Sequence, residues 1–426
     1  MAGTRAHADS WYARTANAIA DRPALTGEQV CDVAVLGAGY TGLMAALQLA
    51  RRGYSVTVLE AARAGWGASG RNGGQIVTGY ARSMGEVAAA AGHDDARLLW
   101  RLNEEAKDLI RTTVEQEAIN CDLTWGYLFA AVKQRQCTDL DEMAAEWAGD
   151  YGYQGLERLD QTQTRAIVGS PRYVGSLLDH GGGHLHPLNY ALGLAEACER
   201  AGVTIYEDSA VTALDTGVTP SFTTSGGRVR AKYLVLAGNA LLGALVPSLR
   251  HKIAPVGTYI AATAPLGANT MAAVLAQDIA VCDMNFVLNY FRKTPDNRLL
   301  FGARVSYSGQ EPIDLESQMR ASMARAFPQL TDTPFEAVWG GLVDITINRL
   351  PHLGRLSPTV YFAQGFSGHG VALSGMAGKV IAEAVAGSAE RFDVFARIRH
   401  GDFPGGPVKI PLLRLAMLWF RLRDMM

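Results

Sequence analysis

Three closely spaced glycines are the first residues in this chain whose types and spacing can do chemistry. Gly37, Gly39 and Gly42 form a GxGxxG pattern directly after the apolar run at residues 33–36. In a strand–turn–helix unit these glycines permit a tight turn, a close approach of pyrophosphate to the backbone, and tight packing of helix on strand. The free N–H groups of the helix N-terminus favour an anion there. The pattern therefore predicts a dinucleotide site, with an ordinary glycine turn as the alternative.

A carboxylate stands where such a site would need one. Glu60 ends the second apolar run, residues 55–59, eighteen residues beyond Gly42. At the end of a strand, this carboxylate can accept hydrogen bonds from ribose hydroxyls. A solvated surface glutamate is the alternative, and the pattern alone fits NAD as well as FAD.

The next segment favours FAD over NAD. Residues 65–75 read GWGASGRNGGQ, with five glycines in eleven residues and no apolar periodicity of a further helix. Backbone N–H groups and the side chains of Ser69, Arg71 and Asn72 can contact a long polar ligand. A loop that is merely rich in glycine is the alternative.

Other candidate groups carry weaker signals. His180, His184 and His186 could place imidazoles on one face of a strand, but no cysteine or carboxylate cluster accompanies them except Asp179, so we expect no metal. Lys252 could serve as an oxygen-activating cation, although a solvated loop lysine is the commoner outcome.

The elements that must position these residues follow from periodicity. The pattern predicts a strand–helix–strand unit over residues 33–59, then helices from about 86 to 150. The further predictions are a glycine-rich turn at 181–183, a helix near 188–200, strands at 203–206 and 233–237, a meander of strands at 253–305 (256–263, 286–291, 299–301), a strand at 360–363, a turn at 365–370 and a helix to 387.

Composition excludes several classes of function. Lys and Arg total 39 against 41 Asp and Glu, which gives a net charge of −2 and no basic footprint for nucleic acid. No stretch resembles a signal peptide or a membrane span, and the five cysteines form no CxxC, so we expect a cytoplasmic protein. Residues 409–423 predict a basic, apolar helix that docks on the protein or on a second copy, with a membrane surface as the less favoured partner.

Several segments resemble one known flavoprotein family. Residues 32–75, 237–240 (AGNA) and 365–370 (GFSGHG) resemble the D-amino-acid-oxidase-like (glycine/sarcosine oxidase) superfamily, and look most like its γ-glutamylputrescine oxidoreductase branch. The resemblance implies an α/β (α+β) fold: a discontinuous Rossmann-type FAD/NAD(P)-binding domain with an inserted mixed β-sheet substrate domain. The expected segments are 28–80, 184–247 and 340–390 for FAD, 81–183 and 248–339 for substrate, and 391–426 for the tail and helix.

The motifs and the resemblance together imply a set of residues around non-covalent FAD. A helix N-terminus at residues 365–370 would point at the flavin pyrimidine and stabilise negative charge there. The set comprises Gly37, Gly39, Tyr40, Thr41, Gly42, Glu60, Ala61, Arg63, Gly67, Ala68, Ser69, Arg71, Asn72, Gly73, Gly74, Gln75, Val211, Ala237, Gly238, Gly365, Phe366, Ser367, Gly368, His369 and Gly370.

One departure from the family pattern bears on the substrate. In amino-acid oxidases of the superfamily, the strand corresponding to residues 339–346 carries an arginine that binds the substrate carboxylate. Val343 occupies that position here, followed by Asp344, and valine cannot form the bidentate pair. The expected substrate-facing residues are Tyr259, Asn285, Tyr290, Trp339, Val343 and Asp344, and the catalytic candidates are Asp344, Lys252 and His369.

The resulting expectation is an FAD-dependent amine oxidoreductase. It would oxidise a primary or secondary amine, γ-glutamylputrescine or polyamine-like, to an imine and then an aldehyde, with O2 or an electron carrier as acceptor. Two alternatives stay open: an N-methyl amino acid (sarcosine-like) oxidase or dehydrogenase, and a non-redox flavin-binding protein.

Overall fold

The computed structural model describes residues 6–18, 20–306 and 312–404. Within these residues the strands are β1 Gly27–Leu36, β2 Val56–Leu59, β3 Gln75–Ile76, β4 Thr124–Ala131, β5 Leu156–Leu159, β6 Gly175–His184, β7 Thr204–Tyr206, β8 Val211–Asp215, β9 Ser221–Thr224, β10 Gly227–Leu236, β11 Ala254–Thr263, β12 Ala280–Asp283, β13 Tyr290–Lys293, β14 Leu299–Ser306, β15 Phe335–Ile345, β16 His352–Ser357 and β17 Val360–Gln364. The helices are α1 Trp11–Arg14, α2 Tyr40–Ala50, α3 Met84–Ala91, α4 His93–Gln116, α5 Gln134–Tyr151, α6 Gln161–Ile167, α7 Pro187–Arg200, α8 Pro247–Arg250, α9 Ala268–Val274, α10 Leu315–Ala326, α11 Gly370–Val385 and α12 Glu390–Ala396.

An eight-stranded sheet joins three distant parts of the sequence. Its path is β16-β17-β10-β1-β2-β7, in which β17, β10, β1, β2 and β7 run parallel, and β9 and β8 extend from β10. Val33 and Val35 of β1 are completely buried, as expected for a parallel sheet covered on both faces. Helices α2 and α11 pack closely because Gly378 has no side chain: a Cβ there would lie 2.4 Å from Thr41 O.

A nine-stranded mixed sheet forms the second layer. Its path is β15-β11-β14-β13-β12-β4-β6-β3, with β5 paired to β6. Strands β12 and β4 are parallel, whereas the other pairs are antiparallel. Because β3 and β15 belong to this sheet, parts of the segments 28–80 and 340–390 lie here and not with the FAD strands.

Some predicted elements were wrong. Strand β4 interrupts the helical pattern predicted for residues 86–150, and helix α9 lies within the predicted strand meander. Phe286 precedes β13 and is not part of it. Residues 181–183, predicted as a turn, lie inside strand β6.

A polar network around Asp179 explains why Gly181 occurs in a strand. Asp179 is fully buried and accepts hydrogen bonds from Gly181 N at 2.9 Å, from Thr78 Oγ1 at 2.5 Å and from the Tyr153 hydroxyl. The Lys107 ammonium donates to Thr78 Oγ1 at 2.8 Å. A Cβ on Gly181 would lie 2.2 Å from the Tyr153 hydroxyl and 3.0 Å from Lys107 Nζ, so the strand needs glycine there.

The three candidate metal-binding histidines have separate roles. His186 is the N-cap of α7, where its Nδ1 accepts from Asn189 N at 3.1 Å, and burial lowers its pKa to about 3. His184 Nε2 lies 3.3 Å from Asp278, and His180 is exposed beside Glu157. The described residues contain no cluster of three metal-ligating side chains, and all five cysteines are free thiols.

Two expectations concern membranes and the C-terminus. Among the described residues, no helix combines the length and apolar character needed to cross a membrane. The predicted helix at residues 409–423 lies outside the described residues.

Candidate cofactor cleft and active site

A cleft of about 840 Å³ lies at the carboxyl ends of the parallel strands. It is the place where open α/β sheets bind ligands. All the predicted FAD residues line it except Gly42, Arg63, Gly73, Gly74, Gln75, Gly365 and His369. The residues predicted from four separate segments of the chain are thus brought together around one space.

The floor of the cleft consists of backbone. Gly37 has a φ of +102°, and a Cβ there would lie 2.8 Å from Ala237 O. Gly39 is the N-cap of α2 and provides no side-chain cap, so Tyr40 N instead donates to Ser69 Oγ at 3.1 Å. The first turn of α2 therefore presents N–H groups to the cleft, as an anion site requires.

Glu60 lies at the end of β2 with both carboxylate oxygens in use. They accept hydrogen bonds from Ala38 N at 2.8 Å and Ala62 N at 2.9 Å. Burial raises the pKa of Glu60. The carboxylate therefore fixes the glycine turn and lines the cleft at the same time.

The glycine-rich loop forms a side wall. Arg71 Nε donates to Trp66 O at 2.7 Å, and its guanidinium carbon lies 4.1 Å from the centre of the Trp66 ring. Asn72 shapes the loop itself, because its side chain accepts from Gly74 N at 2.7 Å and donates to Ala68 O at 2.9 Å. Trp66 was not predicted as a site residue, although it stands inside the loop motif.

Four of the seven predicted FAD residues outside the cleft do not line the neighbouring cavity either. A Cβ on Gly42 would lie 1.9 Å from Gly37 O, which shows that this glycine serves helix–strand packing. Arg63 forms ion pairs with Glu207 and Asp208, both at 3.0 Å. Gly74 and Gly365 have φ angles of +77° and +73°, and they shape their loops without lining the cleft.

The catalytic candidate Lys252 is also placed elsewhere. Its ammonium lies 3.0 Å from Asp402 Oδ1 and donates to His400 O at 2.9 Å. It lines neither this cleft nor the cavity that adjoins it. The structure therefore offers no support for Lys252 as an oxygen-activating cation.

A second cavity, of about 1370 Å³, adjoins the cleft. The two share Arg71, Asn72, Val343, Ser367 and Gly368 on their walls. The predicted residues that line only the second cavity are Gly73, Gln75, Asn285, Tyr290 and His369, while Tyr259, Trp339 and Asp344 line the cleft. This arrangement provides a chamber for a substrate beside a chamber for a cofactor.

His369 lines the second cavity next to Gly368, which lines both cavities. It is the N-cap of α11 but makes no side-chain cap bond, and its Nδ1 is buried without a hydrogen-bond partner in the described chain. Burial, helped by the charge of Arg349, lowers the His369 pKa to about 4. The imidazole is therefore neutral near pH 7 and a weak base.

The second cavity contains residues that the sequence analysis missed. Tyr80, Tyr127, Phe129 and Trp147 form an aromatic lining. Trp147 lies on the same face of α5 as three carboxylates that also line the cavity. The helical periodicity of this face was readable in the sequence. Arg349 has a positive φ of 61° in a loop and gave no sequence signal.

The residues of the cleft fit FAD. Its floor is a glycine cradle that side chains would fill, a helix N-terminus lies beside it, and a carboxylate is held where a ribose would need one. A second helix N-terminus, that of α11, reaches the other end. These are the features that dinucleotide binding requires.

Comparison with known proteins gives the family. The model of the family DAO, described as "FAD dependent oxidoreductase", matches residues 32–384. The chain belongs to this family, and FAD is its cofactor. It is 42% identical to the "Gamma-glutamylputrescine oxidoreductase" of Escherichia coli (strain K12), over 98% of both chains.

Solved structures support the same fold. The crystal structure of glycine oxidase from Geobacillus kaustophilus has a TM-score of 0.70 at 22% identity, over 84% of this chain and 95% of that one. L-proline dehydrogenase from P. horikoshii has a TM-score of 0.71 at 18% identity, over 85% and 94% of the respective chains. The α/β (α+β) fold and the enzyme class expected from the sequence are confirmed.

Proposed function

We propose that this protein oxidises the primary amine of a γ-glutamylputrescine-like compound to an imine, which hydrolyses to an aldehyde. The observation that carries the proposal is the large aromatic-lined second cavity, which meets the cofactor cleft at Val343. The 42% identity to a γ-glutamylputrescine oxidoreductase over nearly the full chain supports the same substrate class.

The junction of the cavities favours an amine without an adjacent carboxylate. Val343 lines both cavities at the position where amino-acid oxidases of the superfamily carry their arginine. Asp344 is 1% exposed on the wall of the cleft. Valine provides no counter-charge for a carboxylate, and an aspartate beside it disfavours a second anion.

The cleft residues would hold FAD by backbone N–H groups and by Glu60. When bound, FAD supplies a hydride acceptor for the carbon beside the amine nitrogen. The chain itself needs to bind the amine and exclude water. An alkylammonium must lose a proton to solvent before its α-hydrogen can leave as hydride, and desolvation in the cavity favours the neutral amine.

His369 is the side chain that we propose to orient the amine. It lines the second cavity, and its low pKa keeps the ring neutral, so that an imidazole nitrogen can accept a hydrogen bond from the substrate nitrogen. His369→Leu should lower kcat/KM about two- to ten-fold because one hydrogen bond is lost, and His369→Asn, whose side chain keeps an acceptor, should lower it less. An unchanged kcat/KM in His369→Leu would remove His369 from this role.

A substrate panel tests the proposed function. Purified holoenzyme is supplied with γ-glutamylputrescine, putrescine, sarcosine or glycine, and the aldehyde formed and the oxygen consumed are measured. We expect aldehyde from the first two and little turnover of the amino acids. Preference for sarcosine would favour an N-methyl amino acid oxidase. Reduction of the flavin by substrate without consumption of oxygen would indicate that an electron carrier is the acceptor.

A further inference from the structure

The second cavity is charged at the end that lies away from the cofactor cleft. Helix α5 contributes three carboxylates to its wall, at a spacing of three and four residues: Asp139, Glu142 and Glu146. None of the three forms an ion pair within the described residues, and none lines the cofactor cleft. Met143 and Trp147, from the same face of α5, line the cavity beside them.

The start of helix α3 completes this outer end with a cation. Arg82 lines the cavity and pairs with Glu86 at 3.0 Å, in a bridge whose side chains are 41% and 53% exposed. Such an exposed pair is weak and easily exchanged for a ligand. Gly85 lacks a side chain, and Glu146 Oε1 lies 3.6 Å from the position of its absent Cβ. The Glu146 carboxylate on α5 and the Arg82 guanidinium, just before α3, thus both line this cavity.

The cavity also has an aromatic wall. Tyr127, Phe129, Phe286 and Tyr290 line it. Aromatic and aliphatic walls suit a methylene chain, whereas a charged group would lose its hydration there. A ligand matched to the whole cavity thus has an amine at the inner end, an aliphatic linker, and a charged head group at the outer end.

Resting on the proposed function, we propose that this outer end binds the amino-acid head group of the substrate. Arg82 binds the α-carboxylate and Glu146 binds the α-ammonium of the glutamyl moiety. Arginine and carboxylate side chains form charge-assisted hydrogen bonds of the required geometry. Asp139 and Glu142 surround the site with negative charge, which attracts a substrate that carries a net positive charge. The head group thus sets the specificity at the end opposite to the reacting carbon.

A pair of matched substrates isolates the head group. N-butyrylputrescine has the same amide and chain length as γ-glutamylputrescine but lacks the α-amino and α-carboxyl groups. For the wild-type holoenzyme we expect a KM for γ-glutamylputrescine about ten-fold lower or more, at similar kcat, because two charged groups are recognised. Equal KM values would overturn this inference and leave the amine oxidation intact. Absence of turnover with both amines would instead refute the proposed function.

Two variants then assign the residues. Arg82→Gln and Glu146→Gln should each raise the KM for γ-glutamylputrescine about five- to ten-fold, with kcat and the KM for N-butyrylputrescine unchanged. The matched control is Arg230→Gln on strand β10 of the other sheet, whose side chain is 45% exposed and pairs with Glu28. The rise of KM with ionic strength in the wild type should be reduced in the two variants but not in the control.

A charge reversal separates recognition from damage to the fold. Arg82→Glu should weaken the binding of γ-glutamylputrescine and strengthen the binding of putrescine, whose distal group is an ammonium. The ratio of the two kcat/KM values should therefore fall by more than in Arg82→Gln. Parallel losses for all three amines would show that Arg82 acts only on the structure and would overturn the assignment.

Discussion

Replacement of Glu60 by glutamine tests the cofactor cleft at its most specific contact. The carboxylate accepts two backbone hydrogen bonds, at 2.8 and 2.9 Å, whereas an amide can accept with only one of its two terminal atoms. A hydrogen bond to a charged group contributes about 1.5–3 kcal/mol. If the variant loses one such hydrogen bond to a ribose hydroxyl, the Kd for FAD should rise about 10- to 150-fold.

The assay is titration of the apoprotein with FAD, followed by quenching of flavin fluorescence. Glu28→Gln is the control, because Glu28 lies near the start of β1 in the same sheet as Glu60 but pairs with Arg230 on the surface. The wild-type Kd for FAD should also rise as the pH falls, because protonation of Glu60 removes the accepting carboxylate. Since burial raises the Glu60 pKa, this rise should begin at a higher pH than for an ordinary glutamate. An unchanged Kd in Glu60→Gln would refute this account of the cleft.

The remaining predictions concern the substrate, the strand glycines and the cofactor linkage. Val343→Arg should shift kcat/KM toward sarcosine and glycine, since it supplies the missing counter-charge; an unchanged ratio would contradict the role of this position. Gly181→Ala should destabilise the fold by about 2–3 kcal/mol in chemical denaturation, because its Cβ would overlap a tyrosine hydroxyl. Gly149→Ala, on helix α5 with nothing within 4 Å, should be neutral or stabilise by up to about 1 kcal/mol. Lys252→Ala should keep its oxygen reactivity, which is measured by reoxidation of reduced enzyme in aerated buffer. Acid precipitation should release FAD, because neither glycine-rich loop has a cysteine; flavin retained on the protein would implicate His369.

The cofactor cleft was predictable because its signals are local. Gly37 and Gly39 act through the backbone of one turn, and Glu60 lies at the end of the adjacent strand. Each of these contacts depends on residues close in sequence or on strands of one sheet. The same reasoning failed for Arg63, because the partner that removes it from the cleft, Glu207, is far away in the chain.

The second cavity depends on contacts that no short segment encodes. Residues 181–183 have the composition of a turn, and only the side chains of Lys107 and Tyr153 explain why the strand needs glycine at position 181. The carboxylates of α5 have a readable helical spacing, but the sequence did not show that this face borders a cavity. Residues far apart in the sequence that meet in the fold, such as Arg349 and Phe286, had no signal at all.

The central claim is that a bound amine without an adjacent carboxylate is the preferred reductant of this enzyme. Its most direct test is the anaerobic bleaching of flavin absorbance in a stopped-flow instrument, in which γ-glutamylputrescine is compared with sarcosine at matched concentrations. We predict complete bleaching by γ-glutamylputrescine, with a second-order rate constant at least about ten-fold above that for sarcosine, since a missing charge-assisted pair is worth about 10- to 150-fold. Faster bleaching by sarcosine would contradict the claim.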